Sequence, residues 1–327
     1  MNNKIKSHYD VVIIGASFAG LSCVKILAKS NKEVLVLDKS NQPGAKACGC
    51  GVEDEDLEFV SESDINFPMA SLFIEAKGKM QQMSEGRGLI SSIVRPNVIN
   101  KWKNQFDNLP NIQIELNTKV VKVNLQDKNI IIDDDIKISY DYLVGADSSF
   151  SIVRNTLGLS VAKYMAAINY RVENFKTDKF LMAADWVLFD KGYAWIFPNK
   201  NFTSIGCAVD YSSGNLRRMH QNLDEWLKKK NISLEGQFEG SIINYDYKGY
   251  KFNDVYLAGD AAGVADGLTG KGIYAACLSG KLVAQEILRK VEQKTLEQFN
   301  SWLEEKQRNE NILNLDKNFL ELKLSQH

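Results

Sequence analysis

The chain has 327 residues, 44% hydrophobic and 25% charged, enough to bury a large core and most simply arranged as two lobes. Forty basic residues against 41 acidic ones leave a formal charge of −1, which gives no electrostatic footprint for nucleic acid. Five scattered cysteines suit a reducing, cytoplasmic compartment, and no apolar run approaches the ~18 residues that span a bilayer.

Residues 10–38 read as one βαβ unit. DVVIIG is a short buried strand; its apolar core, VVII, runs straight into a glycine turn, unlike a secretory leader, so any membrane contact is expected to be peripheral. GASFAG opens a helix through about Ser30, and KEVLVLD is the second strand. An irregular Gly-rich segment covers 40–53, a mixed stretch runs to about 90, and VRPNVINKWKNQF reads as a helix with Pro96 in its first turn. Strand-like runs follow at IQIEL, KVVKVN, NIIID, IKISY and DYLVGAD. From about 160 the runs AAINYRV, YAWIFP and TSIGCAVD predict an antiparallel sheet in a second lobe, followed by the polar helix LDEWLKKK. VYLAGD returns to a buried strand. GIYAACLSGKLVAQEILRKV then carries Ile273, Cys277, Val283, Ile287 and Val291 at helical spacing, and 295–324 reads as a helical tail.

GASFAG (15–20) sits where a dinucleotide fingerprint belongs, after a strand and opening a helix. Gly15 makes the tight turn, Gly20 allows close helix–strand packing, and the helix N-terminus offers free N–H groups to a pyrophosphate. Ser17 replaces the middle glycine, with a hydroxyl able to donate to phosphate. Asp38 ends the second strand, placed to accept from ribose hydroxyls. VYLAGDAAG (255–263), closed by Asp260, and GLTGKGI (267–273) form a second strand, turn and helix start. That suits an extended ligand, FAD, with Asp260 on the ribityl chain and the N–H groups of Gly272 and Ile273 near the flavin pyrimidine.

The fold expected is α/β: a discontinuous Rossmann-like FAD-binding domain (1–60, 90–160 and 250–292) with a second, mainly antiparallel β-sheet substrate domain (61–89 and 161–249) and a C-terminal helical tail (293–327). The chain resembles the geranylgeranyl reductase family of FAD-dependent oxidoreductases over about 10–290. The shared residues are GASFAG, Asp38, CGCG, the VR at 94–95, GADSSFSIVR (145–154), YAWIFP (193–198) and GDAAGVADGLTGKGI. The resemblance implies FAD contacts at Ala19, Asp38, Cys48, Gly49, Gly51, Arg95, Val120, Asp260, Gly272 and Ile273, beside Gly15, Ser17, Gly20 and Lys39 around the first turn. The sequence departs from the family at Ser17 and Ser148, where glycines are usual, and at Gly267, where a proline usually precedes the last helix. It is also shorter than typical members, which implies a reduced substrate lobe.

KACGCGV (46–52) raises a separate question. A structural zinc site needs about four N/S ligands. With three histidines (8, 220 and 327) and no second cysteine pair, no metal is expected. Two cysteines one residue apart make a strained disulfide, so neither a disulfide nor a redox pair is the expected reading. The resemblance aligns Cys48 with the cysteine of a C-G-x-G loop beside the flavin, leaving it a proton donor of ordinary thiol pKa or a packing thiol, and Cys50 inert. Tyr193, Trp195 and Phe197 alternate along YAWIFP and share one face, where they would pack an apolar polyene and stabilise a cation, unless they are core; Tyr193 is the other candidate acid.

The function implied is saturation of isolated C=C bonds in an isoprenoid or lipid by hydride from reduced flavin. No second glycine-rich fingerprint is evident, so NADPH or reduced ferredoxin would bring the electrons. The tail stretch ILNLDKNFLELKL (312–324) is expected to pack on the body, or else to touch a membrane or partner. Two alternatives stay open: a flavin monooxygenase or halogenase acting on an aromatic, although YAWIFP lacks the WxWxIP-like signature expected of a halogenase, and a non-catalytic flavin-binding protein.

Overall fold

The computed structural model describes residues 5–44, 46–76, 79–82, 89–185 and 187–313. In chain order, β1 (His8–Ile14), α1 (Phe18–Leu27) and β2 (Val34–Leu37) form the expected βαβ unit. β3 (Gly51–Glu53), β4 (Ile65–Ala76), β5 (Lys79–Gln82) and β6 (Leu89–Ile93) lead to α2 (Arg95–Asn104). β7 (Ile112–Glu115), β8 (Val120–Asn124), β9 (Asn129–Ile132), β10 (Lys137–Gly145) and α3 (Ile152–Thr156) follow. Next come β11 (Tyr164–Val172), β12 (Phe180–Ala184), β13 (Gly192–Pro198), β14 (Thr203–Asp210), α4 (Met219–Lys228) and β15 (Gln237–Asn244). The chain then runs through β16 (Lys251–Phe252), β17 (Val255–Leu257), α5 (Ile273–Ile287) and α6 (Gln293–Leu313).

Two sheets organise these elements. The first has the order β16-β17-β10-β1-β2-β7, with β17, β10, β1, β2 and β7 parallel and the β8–β9 pair joined antiparallel to β10. Strands covered on both faces need continuous apolar runs, which is why VVII and VLVL lie at its centre, fully buried. α1 carries the chain from β1 to β2 on one side while β10 lies on the other, so the carboxyl end of β1 is a topological switch point, the place where such sheets take ligands. IKISY and DYLVGAD, expected as two runs, join in one strand because β10 changes partner midway: residues 137–139 pair with β9 and 139–145 with β1.

The second sheet runs β15-β11-β14-β13-β12-β4-β6-β3, antiparallel except where β12 meets β4. β3 and β6 hydrogen-bond here, although the sequence division puts residues 51–60 and 90–93 with the nucleotide unit. α6 lies along α5, burying Phe299 and Trp302, and the Trp302 indole donates to the Val264 carbonyl at 2.8 Å. Of the tail stretch 312–324, residues 314 onward lie outside the described residues. No helix among the described residues is long and apolar enough to cross a membrane.

Candidate functional site

Gly15 leaves β1 at φ +110°, and a Cβ on Gly20 would lie 2.0 Å from the Gly15 carbonyl oxygen. The pair therefore sets the tight turn and the helix–strand approach. Gly15, Ser17 and Ala19 line a cavity of about 1210 Å³; Gly20, expected among the ligand-binding residues, does not, and its role is packing. Ser17 makes no side-chain cap to α1. Its hydroxyl, expected to donate to phosphate, accepts from Arg95 Nη2 at 2.7 Å, an arrangement that still leaves its own O–H to donate. Gly272, at the start of α5, provides no side-chain cap either, and Gly272 and Ile273 line the same cavity. Two helix N-termini thus present orphan N–H groups to one space. They are held together at Gly280, where a Cβ would come within 2.1 Å of the Ala19 carbonyl.

Asp38, Lys39 and Val120 line one part of the cavity wall. Asp38 straps the first turn: its carboxylate oxygens accept from Ala16 N at 2.7 Å and Ser40 N at 2.8 Å, leaving acceptor capacity on both. Asp147 joins them, with one oxygen accepting from Ile152 N and the other buried without a partner; burial pushes its carboxyl up to about 6. Asp260, near the start of α5, accepts from Ser149 Oγ at 3.2 Å and forms an ion pair with Lys46. A second pair, Lys271–Glu53 at 2.5 Å, also ties the 46–53 segment to the 260–272 segment. Neither lysine was singled out in the sequence, where both look like ordinary surface cations. Ser148 has the left-handed φ of +72° that explains the family's usual glycine, and a Cβ at Gly267 would strike the Tyr245 ring at 2.7 Å.

The thiol loop lies between these ends. Cys48, half-buried, and Cys50, buried, both line the cavity with Gly49, Gly51 and Arg95. A Cβ on Gly51 would meet the Phe197 ring at 3.0 Å, so the loop lies against the aromatic strand. Cys50 adopts φ +65°, and its N–H donates to Cys48 Sγ at 3.3 Å. That turn, the neighbouring Cys50 thiol and the Arg95 guanidinium favour a thiolate, holding Cys48 down at about 5, while Cys50 is raised well above an ordinary thiol. The ordinary thiol pKa expected of Cys48 is therefore corrected downward, which weakens its reading as a proton donor, while the raised, buried Cys50 thiol leaves the expectation that Cys50 is inert in place.

Tyr193, Trp195 and Phe197 stand in a row on the cavity face of β13, with successive ring centroids 5.9 and 6.4 Å apart. The Tyr193 hydroxyl donates to the Thr269 carbonyl, and burial pushes its pKa up, so its proton is committed to holding the turn before α5. Trp195 Nε1 donates to Ser204 Oγ at 3.1 Å, and Ser204 donates to Asn169 Oδ1 at 2.7 Å. Leu72, Ile74, Ile90, Met182 and Ile243 complete an apolar chamber. Asn169 was overlooked in AAINYRV, where a polar residue at an inward position was the available signal. The α6 residues Glu305, Arg308 and Asn309 also line the cavity, with Glu55 and Asp56. No group of three or more His, Cys, Asp or Glu suited to a metal occurs among the described residues.

The chain is 23% identical over 323 residues to a digeranylgeranylglycerophospholipid reductase of Methanococcoides burtonii, covering 88% of this chain and 77% of that one. Its fold matches that of a geranylgeranyl bacteriochlorophyll reductase-like protein of Thermoplasma acidophilum with a TM-score of 0.81, at 17% identity and over 97% and 90% of the two chains. A probable FAD-dependent monooxygenase of Pseudomonas aeruginosa shares it at a TM-score of 0.67, with 15% identity over 94% of each chain. The resemblance to geranylgeranyl reductases and the α/β fold expected from sequence both hold. The family described as pyridine nucleotide-disulphide oxidoreductase matches residues 9–174, just over half of the chain, and the protein belongs to that family.

Proposed function

We propose that the protein is an FAD-dependent oxidoreductase that saturates isolated C=C bonds in the prenyl chain of an isoprenoid or lipid. One observation carries this reading: a charged wall bearing two uncapped helix N-termini opens into an apolar chamber floored by Tyr193, Trp195 and Phe197. The residues present fit FAD. Gly15, Ser17, Ala19 and Arg95, whose buried Nε lacks a partner, would hold the diphosphate; Asp38, Lys39 and Val120 the adenosine half; Asp260, Gly272 and Ile273 the ribityl and ring end. When bound, FAD supplies a hydride equivalent, with electrons from NADPH or reduced ferredoxin.

The chain's own residues do the rest. The aromatic row and the aliphatic side chains orient a polyene and exclude water. The negative Cys48 sulfur and the ring faces favour positive charge on the alkene carbon, by roughly 0.5–2 kcal/mol per ring. Among the groups lining the cavity, the Asp56 carboxyl, raised to about 7, is the candidate proton donor near neutrality, whereas the Cys50 thiol donates to the Cys48 carbonyl.

The test is to incubate chemically reduced, FAD-loaded enzyme with polyprenyl lipid extracts and follow them by mass spectrometry. Gain of one or more hydrogen pairs is the expected result. Unchanged lipids, together with a long-lived hydroperoxyflavin absorbance on mixing with oxygen, would instead support the aromatic monooxygenase reading that the shared fold admits.

A further inference from the structure

We propose that Asn169 and Glu239 form a hydroxyl-binding subsite at the polar end of the apolar chamber, which makes the substrate an isoprenoid alcohol rather than a phosphate ester or a bare hydrocarbon. This subsite rests on the prenyl-reductase reading and identifies the head of the molecule whose chain the aromatic row packs. Sheet register carries it. Direct pairing places Ile74, Met182, Trp195, Gly206, Asn169 and Glu239 in one rung across β4, β12, β13, β14, β11 and β15. Residues directly opposite one another share a face of the sheet, and Ile74, Met182, Trp195 and Asn169 of this rung line the cavity. The rung thus passes from aliphatic side chains, through an indole, to an amide and a carboxylate. Gly206 marks the changeover: a Cβ there would lie 2.3 Å from Trp195 Cζ2, so the indole extends over that position.

Two orphaned polar atoms stand at the polar end. Asn169 is 2% exposed, and its Oδ1 accepts from Ser204 Oγ at 2.7 Å. An indole N–H can only donate, so the fully buried Ser204 Oγ, accepting from Trp195 Nε1 at 3.1 Å, has its one proton left for Asn169. That relay orients the amide, with Oδ1 toward Ser204 of β14 and Nδ2 turned away from it. Nδ2 is buried and has no hydrogen-bond partner among the described residues. Glu239, directly opposite Asn169 on the other side of β11, is the converse case. Arg171 Nη2 holds its Oε1 at 3.2 Å, while its Oε2 is buried and has no partner among the described residues. Cβ atoms of directly opposite residues stand about 5 Å apart. Buried donors and acceptors are normally bonded, so one of each left over on neighbouring strands points to a ligand group that serves both.

A hydroxyl is that group. Its oxygen accepts from Asn169 Nδ2 while its proton goes to Glu239 Oε2. An ether or aldehyde oxygen satisfies Asn169 alone and leaves the carboxylate oxygen without a donor. A phosphate ester brings charge of the same sign as Glu239, and a hydrocarbon satisfies neither atom. With its hydroxyl held between β11 and β15, the isoprenoid chain runs along the rung over Trp195 and toward Met182 and Ile74. Discrimination then comes from the two atoms that an unsuitable head leaves buried and unpaired.

The experiment measures binding of farnesol, farnesyl methyl ether, farnesyl phosphate and the corresponding hydrocarbon to the full chain loaded with oxidised FAD, by quenching of tryptophan fluorescence. Farnesol should bind at least about tenfold more tightly than each of the other three. Asn169→Ala should abolish that preference and leave the affinity for the hydrocarbon in place. Glu239→Gln keeps the shape and an acceptor for Arg171 but turns the orphan acceptor into a donor, so the methyl ether should now bind at least as tightly as farnesol. A purely structural role for either side chain would weaken all four ligands alike, and that result would overturn the subsite. Equal affinity for farnesol and the hydrocarbon in the unsubstituted protein, with saturation of double bonds still observed in the reduced enzyme, would overturn the subsite and leave the reductase reading standing. Failure of all four to bind a protein that retains FAD would overturn both.

Discussion

Asp56 shows how one side chain links the site to pH. Its Oδ2 accepts from Glu53 N at 2.8 Å, its Oδ1 is buried without a partner, and burial beside Glu55 and Glu53 pushes the carboxyl up to about 7 against the opposing pull of Lys271. The folded state then binds the proton more tightly than the unfolded chain, whose value is 3.8. Between those values the native state carries more protons, so stability is full at low pH, falls as pH rises through the window, and levels off above about pH 7. The cost is on the order of 4 kcal/mol. Asp56→Asn keeps an acceptor for Glu53 N–H and removes the titration. Urea midpoints should therefore fall less between about pH 5 and pH 7.5 in the variant than in the unsubstituted protein, with Asp147 supplying the remaining slope; equal slopes would mean that Asp56 is solvated. None of this was legible in EDEDLE, because a run of acids reads as a solvated face. Only the fold carries its fourth carboxylate into the cavity wall beneath Tyr274. The Cys48 thiol is a similar case. The sequence offers two cysteines and a glycine, whereas the left-handed turn and Arg95, 45 or more positions downstream, set the charge state.

At the level of elements, legibility followed periodicity. β1, β2, β13 and α5 declare themselves through continuous or evenly spaced apolar residues, and Ile273, Cys277, Val283 and Ile287 all point into cores. Val291 continues the spacing but lies past the helix, which ends at Ile287 because Arg289 turns left-handed at φ +55°. β3 and β6 hydrogen-bond in the second sheet, a membership that three to five residues carry too little pattern to declare, because it is decided by partners distant in sequence. The α1–α5 contact was also invisible, since Gly280 looks like a mild defect within a helix. A methyl there would gain roughly 1 kcal/mol in helix propensity, yet it meets backbone at 2.1 Å, which cannot rotate aside. Overpacking of this kind costs roughly 1–3 kcal/mol, so the clash should win. Gly280→Ala should lower the urea midpoint and weaken retention of FAD together, because the same contact aligns the two helix starts. A midpoint that rises would show that the helices separate without loss.

At the scale of the whole molecule, the cavity is lined from both sheets, and several contacts in it tie one to the other. The segment from Lys46 to Glu53 is tied by the Lys46–Asp260 and Lys271–Glu53 pairs to the approach of α5, while Tyr193 of the second sheet holds the Thr269 carbonyl in the same approach. A ligand that touches both helix starts would therefore add to the joint stability of both sheets rather than to one. Saturating FAD at about one hundred times its dissociation constant adds about 2.7 kcal/mol to any protein that binds it only when folded, which is a rise of a few degrees in melting temperature for a chain of this size. The expectation is one cooperative transition, shifted upward as a whole by FAD in circular dichroism at far- and near-ultraviolet wavelengths. Asp260→Ala removes an acceptor at one end of the proposed site, and Arg95→Ala removes a donor at the other. If one dinucleotide spans both ends, each substitution should shrink the FAD-induced shift, and the two losses should not add, because either one uncouples the same bound molecule. If the shift shrinks for Arg95→Ala but is untouched by Asp260→Ala, the ligand occupies the first helix start alone, and the placement of the ring end at Gly272 and Ile273 is wrong.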